Sequence, residues 1–185
     1  MEKEIRSSTE EKMKQAVESL KKDFATIRTG RASVALLDNV SVDAYGQSQR
    51  LNQVSTLTTP DPRTIMVQPW DPKLMGDIEK AIMKSDLGLN PVNDGKVVRI
   101  NIPPLTEERR KEFVKLAKKR TEEGKVAIRN IRREANDKLK KIEKDKVISE
   151  DELKKSLDEI QKMTDSYIKR ADDALEHKES EIMEV

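Results

Sequence analysis

Three arginines and an asparagine, Arg129, Arg132, Arg133 and Asn136 in "VAIRNIRREANDK", are the residues of this chain whose types and spacing best suit chemistry. Each helical residue advances about 100°. With Ile128, Ile131 and Ala135 forming an apolar seam, these four polar side chains therefore share the adjoining solvent-facing arc. Guanidinium forks match phosphate oxygens bidentately, and an asparagine amide can donate to phosphates or base edges. The implied chemistry is binding to a nucleic-acid backbone. The plainer alternative pairs Arg133 with Asp137 and leaves the rest to solvate the helix. No aromatic is interleaved, which disfavours stacking on splayed bases and suits folded RNA met through phosphates and shape. Arg109 and Arg110 form a second basic pair, and Arg28 and Arg31 flank Thr29 and Gly30.

Bond-making chemistry is scarcely represented. His177 is the only histidine and the chain has no cysteine, so a Cys/His pair or a multi-histidine metal site is excluded. No "GxxxxGK[ST]" loop is present to cradle a nucleotide. Carboxylate pairs are plentiful, but on such charged helices they form solvated faces or i,i+4 pairs. A binding protein is expected, with no enzymatic activity, cofactor or metal.

The element that must carry the arginines is a long helix, expected over Thr106–Lys146. Pro103 and Pro104 precede Thr106 as N-cap, Glu107 and Glu108 suit the positively polarised first turn, and no proline follows. Val114, Ala117, Gly124, Ile128, Ile131, Ala135, Leu139 and Ile142 recur near 3.5 residues per turn, the seam of a helix packed lengthwise. At 1.5 Å per residue the rod would be roughly 60 Å long, so partner helices must cover it. Residues 106–148 hold 16 Lys+Arg against 9 Asp+Glu, a net of +7, while residues 149–185 hold 6 against 12, a net of −6. The overall charge of +2 therefore hides a basic rod, and local fields matter more to nucleic acid than the total.

The partners lie at both ends of the chain. Residues 2–29 read as a helix with its seam at Met13, Val17, Leu20, Phe24 and Ile27, ended by Gly30 as C-cap. Residues 149–185 form the third helix, opened by a capping box of Ser149 and Glu152. Its acidic flank beside the basic rod favours pairing within the chain, and a monomer is expected. Between lie all seven prolines, in residues 31–105. There "VSVDAYG", "RLNQVSTLTT", "RTIMVQPW" and "KVVRINI" read as strands, and "DPKLMGDIEKAIMKSD" as a helix capped by Asp71 with Pro72 at its first position. "LGLNPVNDG" is turn chemistry.

The architecture expected is α+β: an elongated three-helix bundle, residues 1–30 and 106–185, with a small inserted β/α/β sandwich domain, residues 31–105. Thr29, Gly30 and Arg31 on entry, and Pro103, Pro104 and Leu105 within the exit at 102–106, would form a hinge. Charged residues at 39% and aromatics at 3% suit thin bundles rather than a thick core. With no signal peptide and no long apolar run, no membrane partner is expected and a cytoplasmic location is. A coiled-coil adaptor or chaperone would explain the bundle but not the insert. A DNA-binding protein lacks helix-turn-helix or half-site logic.

The chain resembles the bacterial ribosome recycling factors over its whole length. The likeness is carried by "IRTGRAS" with "LLD", by Tyr45-Gly46, and by "AIMKSDLGLNP", "PPLTEERRKE" and "IRNIRREANDK". It implies an L resembling transfer RNA in outline, and splitting of post-termination ribosomes with elongation factor G and GTP. It further implies that the bundle contacts 23S ribosomal RNA of the large subunit, and that the insert faces the small subunit and elongation factor G. Arg129, Arg132, Arg133 and Asn136 would then anchor to RNA, extended by Arg28, Arg31, Arg109 and Arg110.

Overall fold

The structure is a computed structural model and describes residues 1–184. Four helices and six strands are formed: α1 (Glu2–Ala25), β1 (Ser41–Ala44), β2 (Gln47–Arg50), β3 (Ser55–Asp61), β4 (Thr64–Pro69), α2 (Met75–Lys84), β5 (Pro91–Asn93), β6 (Val98–Asn101), α3 (Glu107–Lys144) and α4 (Glu150–Met183). They divide into two compact units, one of residues 1–27 and 111–185 and the other of residues 28–110. The first turn of α3 and all the expected hinge residues belong to the smaller unit.

In the larger unit, apolar positions three and four apart turn one stripe of each helix inward. Three layers result. Ala135, Leu139 and Ile160 form one end, Met13, Val17, Ile128 and Tyr167 the middle, and Leu20, Phe24, Ala117, Ala171 and Ile182 the other end. The order of these contacts sets α1 and α4 running the same way and α3 against both. Gly124 brings α3 close to α1, where a Cβ would lie 3.6 Å from Leu20 Cδ2. Thr121 and Thr164 are buried, and each hydroxyl donates to the carbonyl four residues earlier, so neither hydroxyl is left without a partner.

Helix ends follow local chemistry. Ser149 accepts from the Glu152 amide at 3.2 Å while the Ser149 amide donates to the Glu152 carboxylate at 2.7 Å, the reciprocal capping box expected. Thr106 accepts from the Arg109 amide at 3.2 Å. Gly30 does not cap α1: the helix ends at Ala25, and Thr26 hydroxyl donates to Asp23 carbonyl at 2.7 Å. Ile27 is nevertheless buried against the bundle, which explains why its spacing read as helical. α3 stops at Lys144 in a Schellman closure, Val147 amide to Ile142 carbonyl at 2.9 Å and Lys146 amide to Glu143 carbonyl at 2.8 Å. Lys146 takes the left-handed conformation, φ 57°, that this closure demands.

The smaller unit holds a four-stranded antiparallel sheet ordered β3-β4-β6-β5, beside a separate β1-β2 hairpin. Ile65 and Val67 of β4 alternate inward with Val98 and Ile100 of β6, and α2 adds Ile78 and Ile82 to the same core. Asp71 accepts from the Lys73 amide at 3.0 Å, capping a single 3-10 turn that runs into α2. Three segments differ from expectation. Gln47–Arg50 forms strand β2, which no strand pattern announces. Leu51–Gln53 is a 3-10 turn rather than strand, and Pro91–Asn93 of "LGLNPVNDG" pairs with β6 as a short edge strand.

Candidate nucleic-acid interface

Gln161 and the carboxylates of α4 decide which cations on α3 stay available. Lys118 and Lys125 lie on the flank of α3 that faces α4, and both are neutralised across the groove. Lys118 Nζ is 3.8 Å from Glu179, and Lys125 pairs with Asp172 and lies 3.4 Å from Glu122. The Asp172 carboxylate holds the Lys125 ammonium above its ordinary pKa by accepting its proton in a hydrogen bond. Farther along α3 the pattern changes. Arg132 Nη1 donates to Gln161 Oε1 at 3.1 Å, a neutral partner, and Gln161 Nε2 turns to Asp165 at 2.9 Å.

Arg133 Nη1 reaches only Asn130 Oδ1, at 3.4 Å, so the alternative pairing with Asp137 does not form. Among the described residues Arg129 has neither an ion pair nor a hydrogen bond from its guanidinium. Arg129 and Arg132 are half-buried and Arg133 is exposed. Asn136 Oδ1 is buried and accepts no hydrogen bond from the described residues. The structure thus brings Arg129, Arg132, Arg133 and Asn136 onto one flank of α3 in the larger unit. Three guanidinium charges there lack carboxylate partners, and phosphate oxygens could supply what α4 does not.

The other four arginines lie elsewhere. Arg28, Arg31, Arg109 and Arg110 fall in the smaller unit. Arg31 and Arg109 are exposed, while Arg28 and Arg110 are half-buried, with Arg110 Nε buried and unbonded among the described residues. Near them Gly30 has φ 77°, a left-handed value, and a Cβ added there would sit 3.6 Å from the Leu105 amide nitrogen. The two covalent connections expected as a hinge therefore touch each other inside the smaller unit. Among the described residues no cluster of His, Asp and Glu could hold a metal ion, and no helix is long and apolar enough to cross a membrane.

The family model for ribosome recycling factor matches residues 20–183. The chain belongs to the ribosome recycling factor family. Members of this family are translation factors without enzymatic activity of their own. The chain is 57% identical over 185 residues to the ribosome-recycling factor of Symbiobacterium thermophilum, covering all of both chains. It is 60% identical over 173 residues to that of Trichlorobacter lovleyi, covering 94% of each. Its fold is similar to a solution structure of a ribosome recycling factor, with a TM-score of 0.78, 44% identity, and coverage of 100% and 98%. A second similar structure, at TM-score 0.69 and 53% identity with 99% of each chain covered, belongs to models of the T. thermophilus ribosome recycling factor and the E. coli elongation factor G bound to the E. coli post-termination complex.

The spacing that puts the three arginines on one flank is legible in the sequence. The Gln161 contact with Arg132 is not: it follows from the register of α4 on α3, which a single glutamine among charged residues does not announce.

Proposed function

We propose that the chain holds the ribosomal RNA of the large subunit through Arg129, Arg132, Arg133 and Asn136. Elongation factor G, hydrolysing GTP, then drives the post-termination ribosome apart into subunits. Family membership supports this reading, as does the complex described for the T. thermophilus factor. The observation that carries it is the neutral Gln161 opposite Arg132, which leaves that stretch of α3 positive while α4 neutralises Lys118 and Lys125. Arg28, Arg31, Arg109 and Arg110 extend the RNA contact from the smaller unit. Thr29, Gly30 and Arg31 together with Pro103, Pro104 and Leu105 act as the hinge. The smaller unit meets the small subunit and elongation factor G, and the cytoplasm is where the factor works.

The chain supplies no chemistry in this scheme. It shifts the equilibrium by binding the separated state better than the joined one. Sedimentation of post-termination ribosomes with the chain, with and without elongation factor G and GTP, should yield subunits only when all three are present. An Arg132→Ala variant should bind isolated large subunits several-fold more weakly, with a log-log salt slope smaller by about one. Unchanged affinity and slope would remove Arg132 from the anchor.

A further inference from the structure

Strand β1 keeps one edge unpaired. Val42 lies opposite Gln49 and Ala44 opposite Gln47, and the Val40 carbonyl accepts from the Leu51 amide at 3.1 Å. Backbone groups alternate sides along a strand, so those of Ser41 and Asp43 point away from β2. Among the described residues no other strand takes them up, because β1 pairs with β2 alone. Two amides and two carbonyls thus form a short open edge, of the kind to which an extended peptide adds as a further strand.

That edge borders a cleft of about 360 Å³ whose other wall is α2. Asp77, Lys80, Ala81 and Lys84 share this wall, spaced three and four apart as one helical face. Tyr45, which follows β1 directly, donates its hydroxyl to Asp71 just ahead of α2, so β1 and α2 run in opposite directions. The cleft is therefore polarised. Asp43 and Asp77 lie towards one end and Lys84 towards the other, with Lys80 between them.

These charges have no partners in the chain. Among the described residues the side chains of Asp43, Asp77, Lys80 and Lys84 form no ion pair and no hydrogen bond. Facing charges in the bundle behave differently: Lys12 reaches Glu134 at 3.1 Å, and Lys125 pairs with Asp172. Lys80 and Lys84, four apart on a helix, also repel one another. An acidic end and a basic end suit a ligand that carries one charge of each sign. At 1.5 Å per residue, Asp77 and Lys84 stand about 10 Å apart along α2. Three extended residues span about the same length. A single amino acid, with one carbon between its ammonium and its carboxylate, is too short to reach both ends.

We infer that the cleft binds a short peptide with both termini free, about three residues long and antiparallel to β1. Its ammonium lies between Asp43 and Asp77, and its carboxylate meets Lys84. In that pose the first residue exchanges hydrogen bonds with the backbone of Asp43 and the third with that of Ser41. The middle side chain turns, as Val42 does, towards α2 and Ala81. The site stands on the cleft alone and takes nothing from the RNA anchor of the larger unit.

The test is a titration of the whole chain with tri-alanine, followed by heteronuclear NMR. The expected result is saturable movement of the Ser41 and Asp43 amide signals. Free alanine, and tri-alanine acetylated at one end and amidated at the other, should each bind at least about tenfold more weakly. Asp77→Asn and Lys84→Gln, both at exposed positions, should each weaken tri-alanine several-fold with the melting temperature unchanged. Absence of a saturable shift, or shifts that leave the Ser41 and Asp43 amides still, would overturn the inference. So would equal binding of the blocked peptide, which would make the occupant an internal protein segment.

Discussion

Arg132 shows how one neutral neighbour can leave a cation without a carboxylate partner. Its guanidinium has the same charge as the Lys125 ammonium and lies on the same flank of α3, yet Asp172 cancels one while Gln161 leaves the other available. Replacing Gln161 by glutamate should therefore weaken the anchor without touching an arginine. The new carboxylate would sit about where Gln161 Oε1 now accepts, 3.1 Å from Arg132 Nη1. An exposed ion pair of this kind adds little to stability. The melting temperature should barely move, while affinity for large subunits falls severalfold, with a reduced salt slope in a sedimentation titration. Stability rising with RNA affinity unchanged would count against the electrostatic account. At this scale the sequence was half legible. Arginine spacing betrayed the patch, because 100° per residue is a local rule, whereas the Gln161 contact joins positions 29 apart and depends on how two helices register.

Helix ends are where local sequence and observed element diverge, and they make sensitive tests. The Ser149–Glu152 box could be read directly because both partners lie within one turn. Its carboxylate accepts the Ser149 amide, which lowers the Glu152 pKa below the ordinary 4.5. A depressed carboxylate adds stability above its unfolded pKa and loses it as pH falls through the folded value. Glu152→Gln should thus melt lower than the parent at pH 7, with the gap closing once the pH drops below the ordinary glutamate range. The end of α3 could not be read in the same way. A Schellman closure normally advertises itself with glycine, and here Lys146 takes the left-handed position at φ 57°. Lys146→Gly should relieve roughly 1 kcal/mol of backbone strain and raise the melting temperature by a few degrees, measured by calorimetry. Strand β2 was missed for a different reason. "QSQR" has no β-branched or apolar residue, and its pairing with β1 needs only backbone groups. Likewise the turn chemistry of "LGLNPVNDG" hid β5, which is three residues at a sheet edge.

At the scale of the whole molecule, the chain leaves the larger unit after residue 27 and returns at residue 111. Its two passages meet where Gly30 lies against Leu105, so the ends of the smaller unit are close together. Domains inserted through adjacent ends can usually be removed without unravelling the host, because each keeps its own core. The layers around Leu20, Ile128 and Leu139 contain no residue of the smaller unit, and the core around Ile65 and Ile78 contains none of the larger. Replacing residues 28–110 by a short Gly/Ser linker should then leave a helical protein that unfolds cooperatively by circular dichroism. The full arginine patch stays with it, since Arg129, Arg132 and Arg133 lie outside the deletion. This protein should still sediment with large subunits in a salt-dependent manner, less tightly by whatever Arg28, Arg31, Arg109 and Arg110 contribute. It should not split post-termination ribosomes with elongation factor G and GTP, because the unit assigned to meet that motor is gone. Added in excess it should inhibit the intact factor by occupying the same RNA. If the deleted protein splits ribosomes at the parental rate, holding and splitting are not divided between the two units, and the bundle must do both.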